Sequence, residues 1–180
     1  MQRVILNNTY GYKNFISDEE KHFFITWIDN NKTYFQKNRN ENRKFFILKE
    51  SKNYPSEIID NLRNRIIKLD NIGEWVEEPT FYDYIGINYK DAKIQPHTDP
   101  NLYGYIHTRY NIVLMYPNEG GHSVYGNDIN KLEENMIWKC IAGEVTHSST
   151  PVIGDRPRIT LSLGFQIKTN LELKTNKSIL

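Results

Sequence analysis

Residues 94–100 read Ile94-Gln95-Pro96-His97-Thr98-Asp99-Pro100, and a second histidine follows in Val145-Thr146-His147-Ser148-Ser149. Side chains two apart on an extended chain point to one face, so the His97 imidazole and the Asp99 carboxylate converge on a single ion. The tripeptide by itself is common. With His147 at the end of another expected strand, it becomes a set of two imidazoles and one carboxylate. Such a facial set suits non-haem Fe(II), because it leaves coordination positions open for a bidentate 2-oxo acid and for dioxygen. Downstream, Gly154-Asp155-Arg156-Pro157-Arg158-Ile159-Thr160-Leu161-Ser162 puts Arg158, Thr160 and Ser162 on one face of a strand. An arginine fork beside hydroxyl donors is what a buried carboxylate requires. Arg156 shares this parity and competes with Arg158. Pro157, which lacks an N–H, places Arg156 at the solvated strand entrance and favours Arg158.

Around this stretch, from about Thr80 onward, short β-like runs alternate with turn residues. They cover Phe81 to Tyr89, Ala92 to Pro96, Tyr110 to Tyr116, His122 to Tyr125, Met136 to Ile141, Glu144 to Thr146, and Arg158 to Ile167. Many short strands of this kind predict a sandwich or small barrel. The preceding part is read as helical. Ser17-Asp18-Glu19-Glu20 is a capping box, followed by an apolar face of Phe23, Phe24, Trp27 and Ile28. A second helix is predicted from about Pro55 to Leu69, with Ile58, Ile59, Leu62, Ile66 and Leu69 at helical spacing. Between the helices, residues 36–52 are rich in Lys and Arg. They read as a solvated loop with an edge strand at Phe45 to Leu48, or as a basic rim for an anionic substrate.

The chain has 180 residues, with 23 Lys+Arg against 22 Asp+Glu and a net charge of +1. That balance counts against a non-specific nucleic-acid binder. Its single cysteine, Cys140, excludes an intramolecular disulfide and a four-Cys zinc site, and a reducing cytoplasm is the expected home. The longest apolar run, Ile112 to Tyr116, is far short of the ~20 residues of a membrane helix. The run Val4-Ile5-Leu6 is likewise short of a secretory signal.

Taken in order, His97-Thr98-Asp99, Arg109 to Pro117, Glu119-Gly120-Gly121, His147 to Val152 and Arg156 to Ser162 resemble the Fe(II)/2-oxoglutarate-dependent dioxygenases, in particular their prolyl 4-hydroxylase-like branch. The resemblance spans about residues 80–167. It implies a mostly β protein with flanking helices: a double-stranded β-helix, or jelly roll, supported by N-terminal α-helices. The chain 1–180 then forms one domain, with a helical support region at 1–79, a jelly-roll core at 80–167 and a polar tail at 168–180. His97, Asp99 and His147 match the iron ligands. Arg158 matches the residue pairing the 5-carboxylate of 2-oxoglutarate, with Thr160 and Ser162 beside it and Arg156 as its competitor. Tyr116 matches a tyrosine near that carboxylate, and Asn88 or Tyr89 a residue reaching the cosubstrate. Where relatives often carry glycine in the turn before the His-x-Asp stretch, this chain has Asp91.

The implied activity uses Fe(II), 2-oxoglutarate and dioxygen to hydroxylate an unactivated C–H, releasing succinate and CO2. The implied partner is a peptide, protein or free amino-acid substrate. A nucleic-acid-base demethylase, a zinc hydrolase on the same ligands and a non-catalytic jelly-roll binding module are the alternatives. No membrane partner is expected, and the oligomeric state is not legible. His22, Trp138 and Cys140 read as structural, His107 and His122 as strand or loop residues that either line the pocket or do not, and Gly120-Gly121 as a backbone requirement.

Overall fold

A computed structural model describes residues 1–37 and 42–169. The tail beyond 169 and positions 38–41 of the basic segment lie outside the described residues. The strands are β1 (Gln2–Leu6), β2 (Thr9–Lys13), β3 (Gln36–Lys37), β4 (Arg43–Ile47), β5 (Trp75–Glu77), β6 (Tyr84–Asn88) and β7 (Tyr105–Met115). They continue with β8 (Glu119–Gly120), β9 (Ser123–Tyr125), β10 (Asp128–Asn130), β11 (Ile137–Cys140), β12 (His147–Ser149), β13 (Val152–Ile153) and β14 (Arg158–Lys168). The helices are α1 (Asp18–Asn31) and α2 (Ser56–Asp70).

The large sheet runs β1-β2-β11-β7-β14-β6-β4-β3, with β5 pairing the far end of β14. Its long central strands alternate, apart from a bulge in β7 at Leu114 where the pairing with β14 shifts register. Tyr110, Ile112 and Leu114 of β7, Ile159, Leu161, Leu163 and Phe165 of β14, and Ile85 and Ile87 of β6 join one buried cluster with Phe24, Trp27 and Ile28 of α1 and Ile59, Leu62 and Ile66 of α2. That face is the helix-covered one. Residues of opposite parity, Arg158 and Thr160 of β14, Arg109 and Asn111 of β7, and Gly86 and Asn88 of β6, line a cavity on the other face, together with Ser123, His147 and Ser148. The last three belong to, or directly flank, the small sheet β10-β9-β12, so the cavity lies between two facing sheets. This is the expected mostly β jelly roll with flanking helices.

Local chemistry explains the helix ends. The Glu20 N–H donates to Ser17 Oγ at 3.1 Å and the Ser17 N–H to the Glu20 carboxylate at 2.9 Å, completing the capping box. Phe23 departs from the expected face and is 42% exposed, because the burial stripe passes through Phe24, Trp27 and Ile28.

Several strand expectations change. The N-terminal part adds a hairpin, β1–β2, which enters the large sheet where Ile137 pairs Tyr12 and Trp138 pairs Gly11. Phe81 to Tyr89 shrinks to β6. Ala92 to Pro96 is not a strand. There the Ile94 N–H donates to the Ser149 hydroxyl rather than to a carbonyl, and Pro96 has no N–H to give. Glu144 to Thr146 is a turn, with the N–H groups of Glu144 and Val145 both closing onto Ile141 O, and the strand begins only at His147. The Gly120-Gly121 expectation holds: their φ angles are +69° and +62°, and a Cβ on Gly120 would lie 2.1 Å from Pro151 O. Among the described residues no helix is long and apolar enough to cross a membrane.

Candidate metal centre and cosubstrate cavity

His97 lies in a loop, not on a strand, and a reciprocal backbone bridge to His147 sets its position. The His97 N–H donates to His147 O at 3.2 Å and the His147 N–H to His97 O at 2.9 Å. The two rings therefore stand 4.3 Å apart, centroid to centroid. Asp99 is fixed by its own N–H, which donates to Ala142 O at 2.8 Å. Ligand atoms of His97, Asp99 and His147 all lie within 4.8 Å of one another. Each imidazole is oriented from behind, His97 Nδ1 lying 2.8 Å from Gln95 O and His147 Nδ1 3.2 Å from Val145 O. A proton on Nδ1 leaves the Nε2 lone pair bare, the tautomer a metal ligand needs. Burial, aided by His97, pushes the His147 imidazole below its usual range and keeps it neutral. Two bare imidazole nitrogens and one carboxylate on one wall of a cavity fit a facial Fe(II) set.

Behind Asp99 stands a support that sequence reasoning did not single out. Arg109 Nε is 3.6 Å and His107 Nδ1 3.7 Å from Asp99 Oδ2. Arg109 is itself held: Nη2 donates to Glu78 at 2.7 Å, and Nη1 donates to Tyr82 O at 3.2 Å and Ser162 Oγ at 3.4 Å. Glu78 also accepts the Thr80 and Phe81 N–H groups at 2.7 and 2.8 Å. Burial alone would raise the Glu78 pKa, but Arg109 and these N–H donors hold it below the usual carboxylate range. Room for the pair depends on Gly164, where a Cβ would sit 2.7 Å from Glu78 Cβ and 2.8 Å from Tyr82 O. Burial, with Arg109, pushes His107 down to about 4, so it faces Asp99 as a neutral ring. The available signal was parity: His107 and Arg109 share the inner face of β7 with Asn111.

The cavity has a volume of about 350 Å³. Arg158 lines it at only 5% exposure, and its Nη2 donates to Ser123 Oγ at 2.8 Å. Its Nε and Nη1 are buried with no hydrogen-bond partner. Burial lowers its pKa, opposed by Tyr116 and Tyr84, but a guanidinium stays charged. A buried cation with unused donors and no carboxylate is costly until an anion fills the space. Asn88 pairs Arg158 across the β6–β14 ladder and lines the same cavity, as does Thr160.

The remaining candidates sit elsewhere. Arg156 is 44% exposed and paired with Glu134. Tyr89 is 37% exposed, with Lys44 Nζ 5.7 Å from its ring centroid. Ser162 is fully buried behind the cavity wall against Arg109. Tyr116 lies near Arg158, but its hydroxyl is engaged with His122 Nδ1 at 2.7 Å. Trp138 and Cys140 are buried as expected and also line the cavity.

No protein-family model matches the sequence, and no curated protein matches it. Solved structures share its fold. A collagen prolyl hydroxylase of Paramecium bursaria Chlorella virus-1, solved with 2-oxoglutarate, superposes with a TM-score of 0.65 at 14% identity, covering 88% of this chain and 95% of that one. HygX of Streptomyces hygroscopicus, solved with nickel and 2-oxoglutarate, gives 0.69 at 8% identity over 88% and 82%. A Trichoplax adhaerens prolyl hydroxylase, in complex with a hypoxia-inducible-factor peptide fragment, gives 0.64 at 16% over 89% and 84%.

Proposed function

We propose that this chain is an Fe(II)- and 2-oxoglutarate-dependent dioxygenase that hydroxylates an unactivated C–H of a peptidyl or free amino-acid side chain. One observation carries the reading. The three convergent donors of His97, Asp99 and His147 share a cavity with Arg158, a buried guanidinium that has unused donors and, among the described residues, no carboxylate partner. Hydrolysis on a zinc ion has no use for such a residue. The likeness to prolyl hydroxylases and to a 2-oxoglutarate-bound structure supports the same reading.

In this mechanism His97 and His147 would hold the metal through their imidazoles and Asp99 through its carboxylate, which Arg109 Nε approaches to 3.6 Å. When bound, iron with 2-oxoglutarate and dioxygen would supply the oxidising power to hydroxylate the C–H bond, with succinate and CO2 as coproducts. Arg158 binds the distal carboxylate of the cosubstrate, with Thr160 and Asn88 at its side. Phe45, Phe81 and Tyr84 form an aromatic wall that limits water around the reacting carbon.

The test is succinate formation from 2-oxoglutarate by purified protein, compared with His147→Ala, alongside an anaerobic Fe(II)/2-oxoglutarate titration followed in the visible. Loss of both succinate and the charge-transfer band in the variant is expected. Near-wild-type succinate production by His147→Ala would overturn the assignment.

A further inference from the structure

Three guanidinium groups face the cavity, those of Arg43, Arg109 and Arg158. Arg109 is neutralised by Glu78 behind it and by Asp99 in front. Arg158 is met by the distal carboxylate of the cosubstrate on the reading above. Arg43 is left over. It has no carboxylate partner among the described residues, and its Nε is buried without a hydrogen bond. Among the described residues Asp99 is the one carboxylate lining the cavity, and it is already committed to the ligand set. Once the metal, Asp99 and a dianionic cosubstrate on Arg158 are in place, the charges there cancel, and among the described residues none compensates Arg43.

Its backbone stands apart from that of the cosubstrate anchor, although the two guanidiniums still repel one another. Arg43, Asn88 and Arg158 form one row across β4, β6 and β14, with Asn88 between the two arginines. Neighbouring strands are about 4.8 Å apart, so the two backbones lie roughly 10 Å from each other. Arg158 is tethered across the cavity to Ser123 on the small sheet, whereas Arg43 emerges at the β3–β4 side. Next to Arg43 on the same face stands Phe45, whose ring packs edge-on to Phe81 at 6.2 Å, and Phe81 in turn packs on Tyr84 at 6.3 Å. The cavity thus offers a cation beside an apolar shelf that continues toward the metal ligands. Lys44, of opposite parity, packs over Tyr89 and does not share this task. The volume of about 350 Å³ is at the small end of ligand cavities, which run from about 300 to 1,000 Å³.

We propose that Arg43 is the carboxylate-binding residue for the primary substrate, which is a small carboxylate-bearing molecule of amino-acid size. Its carboxylate pairs with Arg43, its side chain lies on Phe45, Phe81 and Tyr84, and the carbon to be hydroxylated reaches the metal. This rests on the dioxygenase reading and names the substrate class of the same site.

The experiment uses the full chain loaded anaerobically with Fe(II) and 2-oxoglutarate. The twenty free L-amino acids and their carboxamides serve as probes, each titrated against the visible charge-transfer band. At least one free acid is expected to perturb the band, with its carboxamide binding about tenfold or more weakly, as for loss of a charge-assisted hydrogen bond. Arg43→Gln should bring that acid down to the affinity of its amide while 2-oxoglutarate affinity changes by less than about threefold. Arg43→Lys, which keeps the charge, should restore part of the discrimination. The proposal is overturned if no free acid binds the loaded wild-type protein, if acid and amide bind alike, or if Arg43→Gln weakens 2-oxoglutarate about tenfold or more. In the last case Arg43 belongs to the cosubstrate. Absence of the band in wild-type protein would instead defeat the dioxygenase reading itself.

Discussion

Replacing Arg158 and Arg156 separately by alanine gives opposite outcomes if the cavity binds 2-oxoglutarate as argued. Arg158 is 5% exposed, with Nε and Nη1 pointing at no protein acceptor. A dianion bound there exchanges water for charged hydrogen bonds in a desolvated place, and removing such a partner costs about 2–5 kcal/mol, or roughly 30- to 5000-fold in affinity. Arg158→Ala should therefore raise the 2-oxoglutarate KM, read by succinate formation, at least about tenfold, with a parallel loss in anaerobic titrations. Its effect on the cosubstrate-free protein should be small, because the guanidinium it removes is a buried charge without a counter-charge, whose desolvation was never compensated. Arg156 pairs with Glu134 at 44% side-chain exposure, an interaction worth about 0–1 kcal/mol. Arg156→Ala should change the KM by less than about threefold. A reversed pair of effects would refute the argument and make Arg156 the anchor. A large drop in the melting temperature of Arg158→Ala with an unchanged KM would show that Arg158 is structural.

Glu78→Gln removes the hydrogen-bonded counter-ion of buried Arg109 and leaves it only Asp99 at 3.6 Å, so stability should fall by about 1–3 kcal/mol in thermal unfolding. Co(II) affinity, followed spectroscopically, should fall about 10- to 100-fold because Asp99 loses its brace, and unchanged Co(II) binding would mean that Arg109 does not position Asp99. On the opposite face, Asp70 accepts from Lys139 Nζ at 2.8 Å and from the hydroxyls of Tyr10 and Tyr110. Burial opposes ionisation, yet these donors hold its pKa below the ordinary 3.8. The unfolded chain then binds the extra proton first. The stabilisation is thus complete above about pH 3.8 and is lost as pH falls through the folded value. Asp70→Asn should cost about 1–3 kcal/mol at neutral pH, with the gap to wild type closing below that point in chemical denaturation at stepped pH. A gap independent of pH would assign the cost to packing alone.

Chain-local rules carried a large part of the fold and the site. The capping box at Ser17 needs only contacts within one turn, and it forms. Strand alternation is a period-two pattern, so the shared face of Arg158, Thr160 and Ser162 was legible without coordinates, whereas the bulge of β7 at Leu114 was not. The convergence of His97, Asp99 and His147 was legible for a different reason: few combinations of two His and one Asp combine with a later strand of Arg-x-Thr-x-Ser. Tertiary structure decided the rest, wherever two segments far apart in the chain had to meet. Arg156 and Arg158 have the same parity; Pro157 placed Arg156 at the strand entrance, but the ion pair it makes there with Glu134 and the depth at which Arg158 is buried come from the tertiary structure. The brace behind Asp99 joins residues from the turn before β6, from β7 and from β14, with Gly164 leaving room for it. The N-terminal hairpin became part of the large sheet because β11 offered an edge at Tyr12 and Gly11, a pairing partner well over a hundred residues away that no local propensity encodes.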